Sequence, residues 1–264
     1  MSTLIILPCH SIWRGGDGYG DTAIEWHLVD FQIEGNDHLC FKDHIIQSLK
    51  CLEEDQNSYL VISGGQTKRE AGPISESLSY YQLAKKLVTS GGQISESGTS
   101  KSNYSDILDR ITTEEFARDS FENVIFLICR YYEVFNKYPE KITIVGFEFK
   151  RDRFLKHHLV QAMKFPLWSV TYIGNAPYPK ENLEKYFEDL NQSEFRFAVR
   201  YFQDDWYGKD QPLLKKKLTR NPFNRNHGYA ESNPKLRLFL TAIHDLGSGG
   251  NEVVDLLNEM PWIR

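Results

Sequence analysis

Four short apolar runs, each cut off by glycine or proline, constrain this chain more than any other feature. Leu4-Ile-Ile-Leu7 stops at Pro8 and Tyr59-Leu-Val-Ile-Ser63 stops at Gly64-Gly65. Lys141-Ile-Thr-Ile-Val stops at Gly146, and Leu167-Trp-Ser-Val-Thr-Tyr-Ile stops at Gly174. Runs this short and continuous suit strands buried on both faces of a parallel sheet. Between them the apolar period changes to that of a helix: Ile45, Ile46, Leu49 and Leu52 after Phe41, then Ile74 to Val88. A third helical stretch carries Phe121, Val124, Ile128, Tyr131 and Phe135 on one face, with Pro139 ending it. Thr112-x-x-Glu115 predicts a capping box at its start, and Glu115, Arg118, Asp119 and Glu122 fall on the opposite face. Strand and helix in alternation predict an α/β fold with a mostly parallel sheet.

The length of 264 residues is read as a single α/β domain over 1–264. Residues 90–102, low in apolar content, are expected to form a mobile insertion. Residues 175–264 are expected to form a C-terminal helical and loop extension, with helices near Glu181–Leu190, Phe195–Phe202 and Glu252–Asn258. An aromatic content of 13% argues against disorder. The four cysteines show no C-x-x-C spacing, which removes the zinc-ribbon and disulfide-framework classes. No run is long enough to span a bilayer and no leader pattern opens the chain, so no membrane association and a cytoplasmic or nuclear location are expected.

Ligands in open α/β sheets sit at the carboxyl ends of the strands, and three such ends carry suggestive residues. Cys9-His10-Ser11 and a loop with four glycines from Gly15 to Gly20 follow the first strand. Cys9 and His10 would point to opposite faces, so they do not make a nucleophile and its base. Ser63, Gly64 and Gly65 follow the second strand and read either as a tight turn or as a nest of backbone amides for an anion. Lys150, Arg151 and Arg153 follow Gly146 and would supply cations. The standard Rossmann, Walker, nucleophile-elbow and zincin motifs are all absent.

The net charge of −5 gives no general reason to bind nucleic acid. Between Trp206 and Tyr229, however, six cations face Asp210 alone, interleaved with Trp206, Tyr207, Phe223 and Tyr229. Lys215-Lys-Lys217 reads as a solvated face, whereas Arg220-Asn-Pro-Phe-Asn-Arg-Asn-His227-Gly-Tyr229 reads as a shaped loop whose aromatics could stack on a ring.

In order along the chain, strand–Ser63-Gly64-Gly65, then Glu114/Glu115 with Ala-Arg-Asp-Ser120-Phe-Glu122-Asn123, then Val145-Gly-x-x-x-Lys150-Arg-Asp-Arg153 resembles the SanA/YdcF/ElyC-like family of unknown function. Arg220-Asn-Pro-Phe with His227-Gly-Tyr229 is similar to its eukaryotic, fungal-type branch. The resemblance implies a Rossmann-like sheet with helices on both faces and polar motifs converging on one crevice. In the family's E-x-x-S-x-x-T-x-E-N motif, Ser120 stands in for Thr and Ala117 replaces a Ser. Lys150 occupies a histidine position, so an imidazole would have to come from elsewhere, from His10 or His227. The resemblance also raises a nucleotide-like or S-adenosylmethionine-like ligand.

The expectation is an enzyme, a hydrolase or transferase, acting on a small anionic metabolite. Ser63, Gly64, Gly65, Lys150, Arg151, Arg153, Arg220 and His227 would bind it, with Ser120 and Asn123 orienting ligand or water. Glu115 or Glu122 would be the general base, with His10 as a further catalytic candidate. A divalent metal on Asp17 and Glu122 is conceivable, although no ligand spacing supports it. A non-catalytic sensor of a nucleotide-like ligand is the rival reading, and nucleic-acid binding through 206–229 stands behind both.

Overall fold

The computed structural model describes residues 3–90, 103–247 and 251–263. β1 (Thr3–Pro8) is followed by α1 (Asp30–Glu34) and α2 (Asp37–Glu54). Next come β2 (Ser58–Ser63), α3 (Glu76–Thr89), α4 (Asn103–Leu108) and β3 (Ile111–Glu114). Then α5 (Ser120–Phe135), β4 (Lys141–Phe147) and β5 (Val170–Asn175) complete a sheet of five parallel strands in the order β3-β2-β1-β4-β5. This is an α/β, Rossmann-like fold with helices on both faces of the sheet.

Strand alternation sorts the core into two layers. Leu4, Ile6, Val61, Ile142 and Ile144 face α5 and the C-terminal helices; Ile5, Leu7, Leu60, Ile62 and Val145 face α2 and α3. The continuous apolar runs are therefore a consequence of burial on both sides, each such side chain contributing about 1.5–3 kcal/mol on leaving water. β1, central in the sheet, pairs with β2 and β4 in register, Leu4 lying opposite both Tyr59 and Ile142.

One expected element is corrected. Thr112 to Glu114 does not begin a helix but forms β3, with Leu60 opposite Ile111 and Ser63 opposite Glu114. Two β-branched threonines suit an extended chain, and β2 offers them a free edge. The helix begins six residues later, capped by Asp119, whose Oδ1 accepts the Glu122 N–H at 2.8 Å. The glycine-rich loop after β1 packs over α3 and Trp26: Lys86 Nζ donates to Gly16 O, and Trp26 Nε1 donates to Gly20 O.

After β5 the chain continues through α6 (Leu183–Glu194), a π-helical turn at Phe195–Val199, α7 (Arg200–Phe202) and α8 (Leu213–Thr219). It ends in α9 (Tyr229–Ser232), α10 (Arg237–Ile243) and α11 (Asn251–Leu256). Tyr207, Leu213, Tyr229, Phe239 and Leu240 from this region pack on α5 in the first core layer. Of the expected insertion, residues 91–102 lie outside the described residues. No helix among the described residues is long and apolar enough to cross a membrane.

Candidate functional site

A cavity of about 820 Å³ opens at the carboxyl ends of β1, β3 and β4. It straddles the gap between β1 and β4, where the strand order reverses and the chain cannot cover both strand ends with one crossover. β1 delivers His10, the turn after β3 delivers Ser120 and Asn123 at the start of α5, and β4 delivers Phe147 and Lys150. Arg153 follows on a π-helical segment, Arg153–Gln161, while α1 and α6 wall the mouth with Phe31, Tyr186 and Leu190.

Lys150 is the central cation. It is in no ion pair among the described residues; its Nζ lies 3.4 Å from His10 Nδ1 and over the faces of Phe147 and Phe149. Burial, reinforced by Arg153, lowers its pKa to about 8. Burial and Lys150 in turn hold the His10 imidazole well below its usual value, and its Nε2 has no hydrogen-bond partner. Asp37, at the first turn of α2, is pushed up to about 7 by burial against the opposing pull of Lys150, and its Oδ1 is unpartnered. Arg153 pairs with Glu194 of α6 at 3.0 Å. Shifted groups of both signs in one crevice are the usual mark of a working site.

The other expected residues sit elsewhere, each for a physical reason. Gly64 and Gly65 do not form an anion nest: their N–H groups already donate to Glu114 O at 3.1 Å and Ala117 O at 2.8 Å. Their lack of a side chain serves close approach instead. A Cβ on Gly64 would meet the Cβ atoms of Glu76 and Cys9, and one on Gly65 would lie 2.9 Å from Ala117 O. Ser63 is fully buried, and its Oγ lies 2.6 Å from Glu114 Oε2 and 2.7 Å from Asn123 Oδ1. Glu114 also accepts from Phe116 N, Ala117 N and Tyr229 Oη, a fully bonded carboxyl beneath the cavity floor.

Neither glutamate expected as the base lines the cavity. Glu122 is buried and bound to Arg118 by both oxygens; Asp245 and Lys217 complete a four-charge network through Arg118–Asp245 at 2.6 Å and Lys217–Asp245 at 3.0 Å. Glu115 lies on the loop after β3 and pairs with Arg225 at 3.6 Å. Arg151 turns away from the crevice to Glu148 at 2.6 Å, because a tight turn follows β4. His227 is stacked on Tyr229 with ring centroids 5.2 Å apart and is not among the lining residues. Asp17 is exposed in the glycine loop, and no cluster of three or more His, Cys, Asp or Glu side chains among the described residues could hold a metal.

The basic 206–229 segment is also corrected. Lys217 is buried in the four-charge network, Lys209 Nζ donates to the carbonyls of Ala242, His244 and Gly247, and Lys216 Nζ donates to Phe197 O. Tyr207 and Tyr229 are core residues rather than stacking platforms. Only Arg220 and Lys216 of this segment reach the cavity lining.

Sequence reasoning missed Asp37, the lining residues Thr67 and Glu76, where the hydroxyl of the first donates to the carboxylate of the second, and His158. The last has an identifiable cause: α-helical spacing from Arg153 points to His157, whereas the π-helical i→i+5 ladder brings round His158 instead.

The yeast protein described as "Uncharacterized protein YOR238W", from Saccharomyces cerevisiae, is 39% identical over 265 residues, covering 87% of this chain and 86% of the yeast protein. No family model matches the chain, and no solved structure matches it.

Proposed function

This chain belongs to the family of the yeast protein YOR238W, and from the cavity it builds we propose that it is an enzyme acting on a small anionic metabolite, phosphorylated or nucleotide-like. The observation that carries this reading is Lys150: a cation in no ion pair among the described residues, inside a cavity at the β1–β4 switch point. Arg153, Lys216 and Arg220 line the same space and add positive charge. The aromatic wall of Phe31, Phe149 and Tyr186 suits a ring on the ligand, of the nucleotide or S-adenosylmethionine kind. The resemblance in motif order to the SanA/YdcF/ElyC-like family, whose motifs are expected to converge on one crevice, agrees with this reading.

In place of Glu115 and Glu122, Asp37 is the general acid or base of this reading. Its free Oδ1 and its pKa near 7 suit proton transfer at neutral pH. His10 would hold the Lys150 amine and present Nε2 to the ligand.

A panel of phosphorylated and nucleotide metabolites, scored for binding and turnover, tests the proposal. Lys150→Ala is expected to lose binding, and Asp37→Asn to keep binding while losing turnover. Wild-type affinity should fall as pH rises through about 8, where Lys150 gives up its proton. Undiminished binding by Lys150→Ala would sink the assignment. Binding without transformation of any ligand would favour the sensor reading.

A further inference from the structure

Ser120 opens α5, lines the cavity, and has its Oγ 2.8 Å from Nε2 of His158. His158 is fully buried. The rings of Phe121, Phe154 and Phe202 surround it, with centroids 5.9, 5.6 and 4.6 Å away, and its Nδ1 has no hydrogen-bond partner. Burial, with the nearby Arg153 guanidinium, keeps this imidazole neutral, so it carries one ring proton.

Where that proton sits follows from its neighbours. On Nδ1 it would be a buried N–H facing phenyl rings, which are weak acceptors. On Nε2 it meets Ser120 Oγ. The serine oxygen therefore accepts from His158, and its own hydroxyl proton is left for another acceptor; no other described group hydrogen-bonds this oxygen. The backbone N–H groups of Ser120 and Phe121, the first two of a 16-residue helix, also have no acceptor among the described residues. The opposite arrangement, with Ser120 as nucleophile and His158 as base, would create an imidazolium among three phenyl rings beside Arg153. No carboxylate stands at Nδ1 to steady it.

We propose that Ser120 is a hydrogen-bond donor to a phosphate group of the ligand, and that His158 is the positioning residue that fixes it in that role. Donors reach the cavity from three elements: Lys150 after β4, Arg153 on the π-helix and Ser120 on α5. Three directions match the three free oxygens of a phosphate monoester better than the two of a flat carboxylate. The inference rests on the anion-binding reading above and names the ligand class within it.

Calorimetric titration of the full chain with inorganic phosphate and pyrophosphate is the test. The wild type is expected to bind, and Ser120→Ala to bind about tenfold more weakly or worse. His158→Phe keeps a ring but loses the donor and should weaken binding comparably. His158→Gln, whose amide N–H can take the place of Nε2–H, should restore most of the affinity. Wild-type affinity in Ser120→Ala overturns the donor role, and wild-type affinity in a folded His158→Phe overturns the positioning role. Labelling of Ser120 by a fluorophosphonate would show a nucleophile and overturn both. Binding lost in Lys150→Ala but intact in Ser120→Ala sinks this inference alone; no binding by the wild type sinks the anion reading with it.

Discussion

Glu114 shows how far one buried side chain can set the behaviour of the protein. Its carboxyl takes hydrogen bonds from two backbone amides, Ser63 and Tyr229, yet burial still pushes it up to about 7. The folded chain thus holds a proton there up to about pH 7, while the unfolded chain releases it near 4.5. Folding takes up that proton between the two values, so this group's contribution falls as pH rises through the window. Asp37, raised from 3.8 to about 7, acts with the same sign. Glu114→Gln should therefore flatten the pH dependence: relative to wild type it gains on the order of 3 kcal/mol between pH 4 and pH 8. Urea midpoints across that range measure it, and an unchanged slope would refute it. At this scale the sequence exposed the identity of groups but not their surroundings. Lys150 and His10 could be singled out because they follow strands. Glu122 could not be told from a base, since nothing in its neighbours announces Arg118 and Asp245 closing over it.

Among the elements, the turn after β2 is where a sequence pattern had two physical meanings. Ser-Gly-Gly after a strand suits an amide nest or a close crossing of chains, and the amides engaged with β3 and its loop decide for the second. Gly65→Ala should destabilise by about 1–3 kcal/mol, because its Cβ would press on a backbone oxygen that cannot rotate away. Gly64→Ala meets side-chain carbons at 2.8 and 3.0 Å and should cost a similar amount in chemical denaturation. Stability unchanged in both variants would contradict the packing account. β3 escaped notice for a related reason: Thr-x-x-Glu is both a helix-start signature and a serviceable edge strand, and the choice depends on β2 being there to pair. β1, β2 and β4 were legible because burial on both faces leaves a largely apolar run. β5, an edge strand with only Tyr172 buried, was legible from its β-branched and aromatic residues and the glycine near its end. The π-helix was not, since a wider turn alters which residue comes round without changing composition.

For the whole molecule, the four-charge network matters most. Glu122 belongs to the first turn of α5 and Arg118 to the loop just before it, Lys217 to α8, and Asp245 to the segment after α10. Asp245→Ala leaves Arg118 and Lys217 buried with Glu122 as their remaining partner and should cost on the order of 3 kcal/mol. Its effect should be markedly less than additive with Arg118→Ala in urea denaturation, since both break the same contact. Full additivity would mean that the groups act independently. The fold class could be read from the first 174 residues, but this coupling could not, because partners 127 residues apart leave no local pattern.

The sheet and the cavity are completed by different parts of the chain. All five strands are in place by Asn175, whereas Tyr186, Leu190, Lys216 and Arg220 come later. A chain cut after β5 would lose one wall of its crevice and bare the apolar flank of α5. During synthesis, then, the strands and the groups proposed to grip the ligand, from His10 to Arg153, emerge first, and the wall that encloses them is the last part of the site to be made.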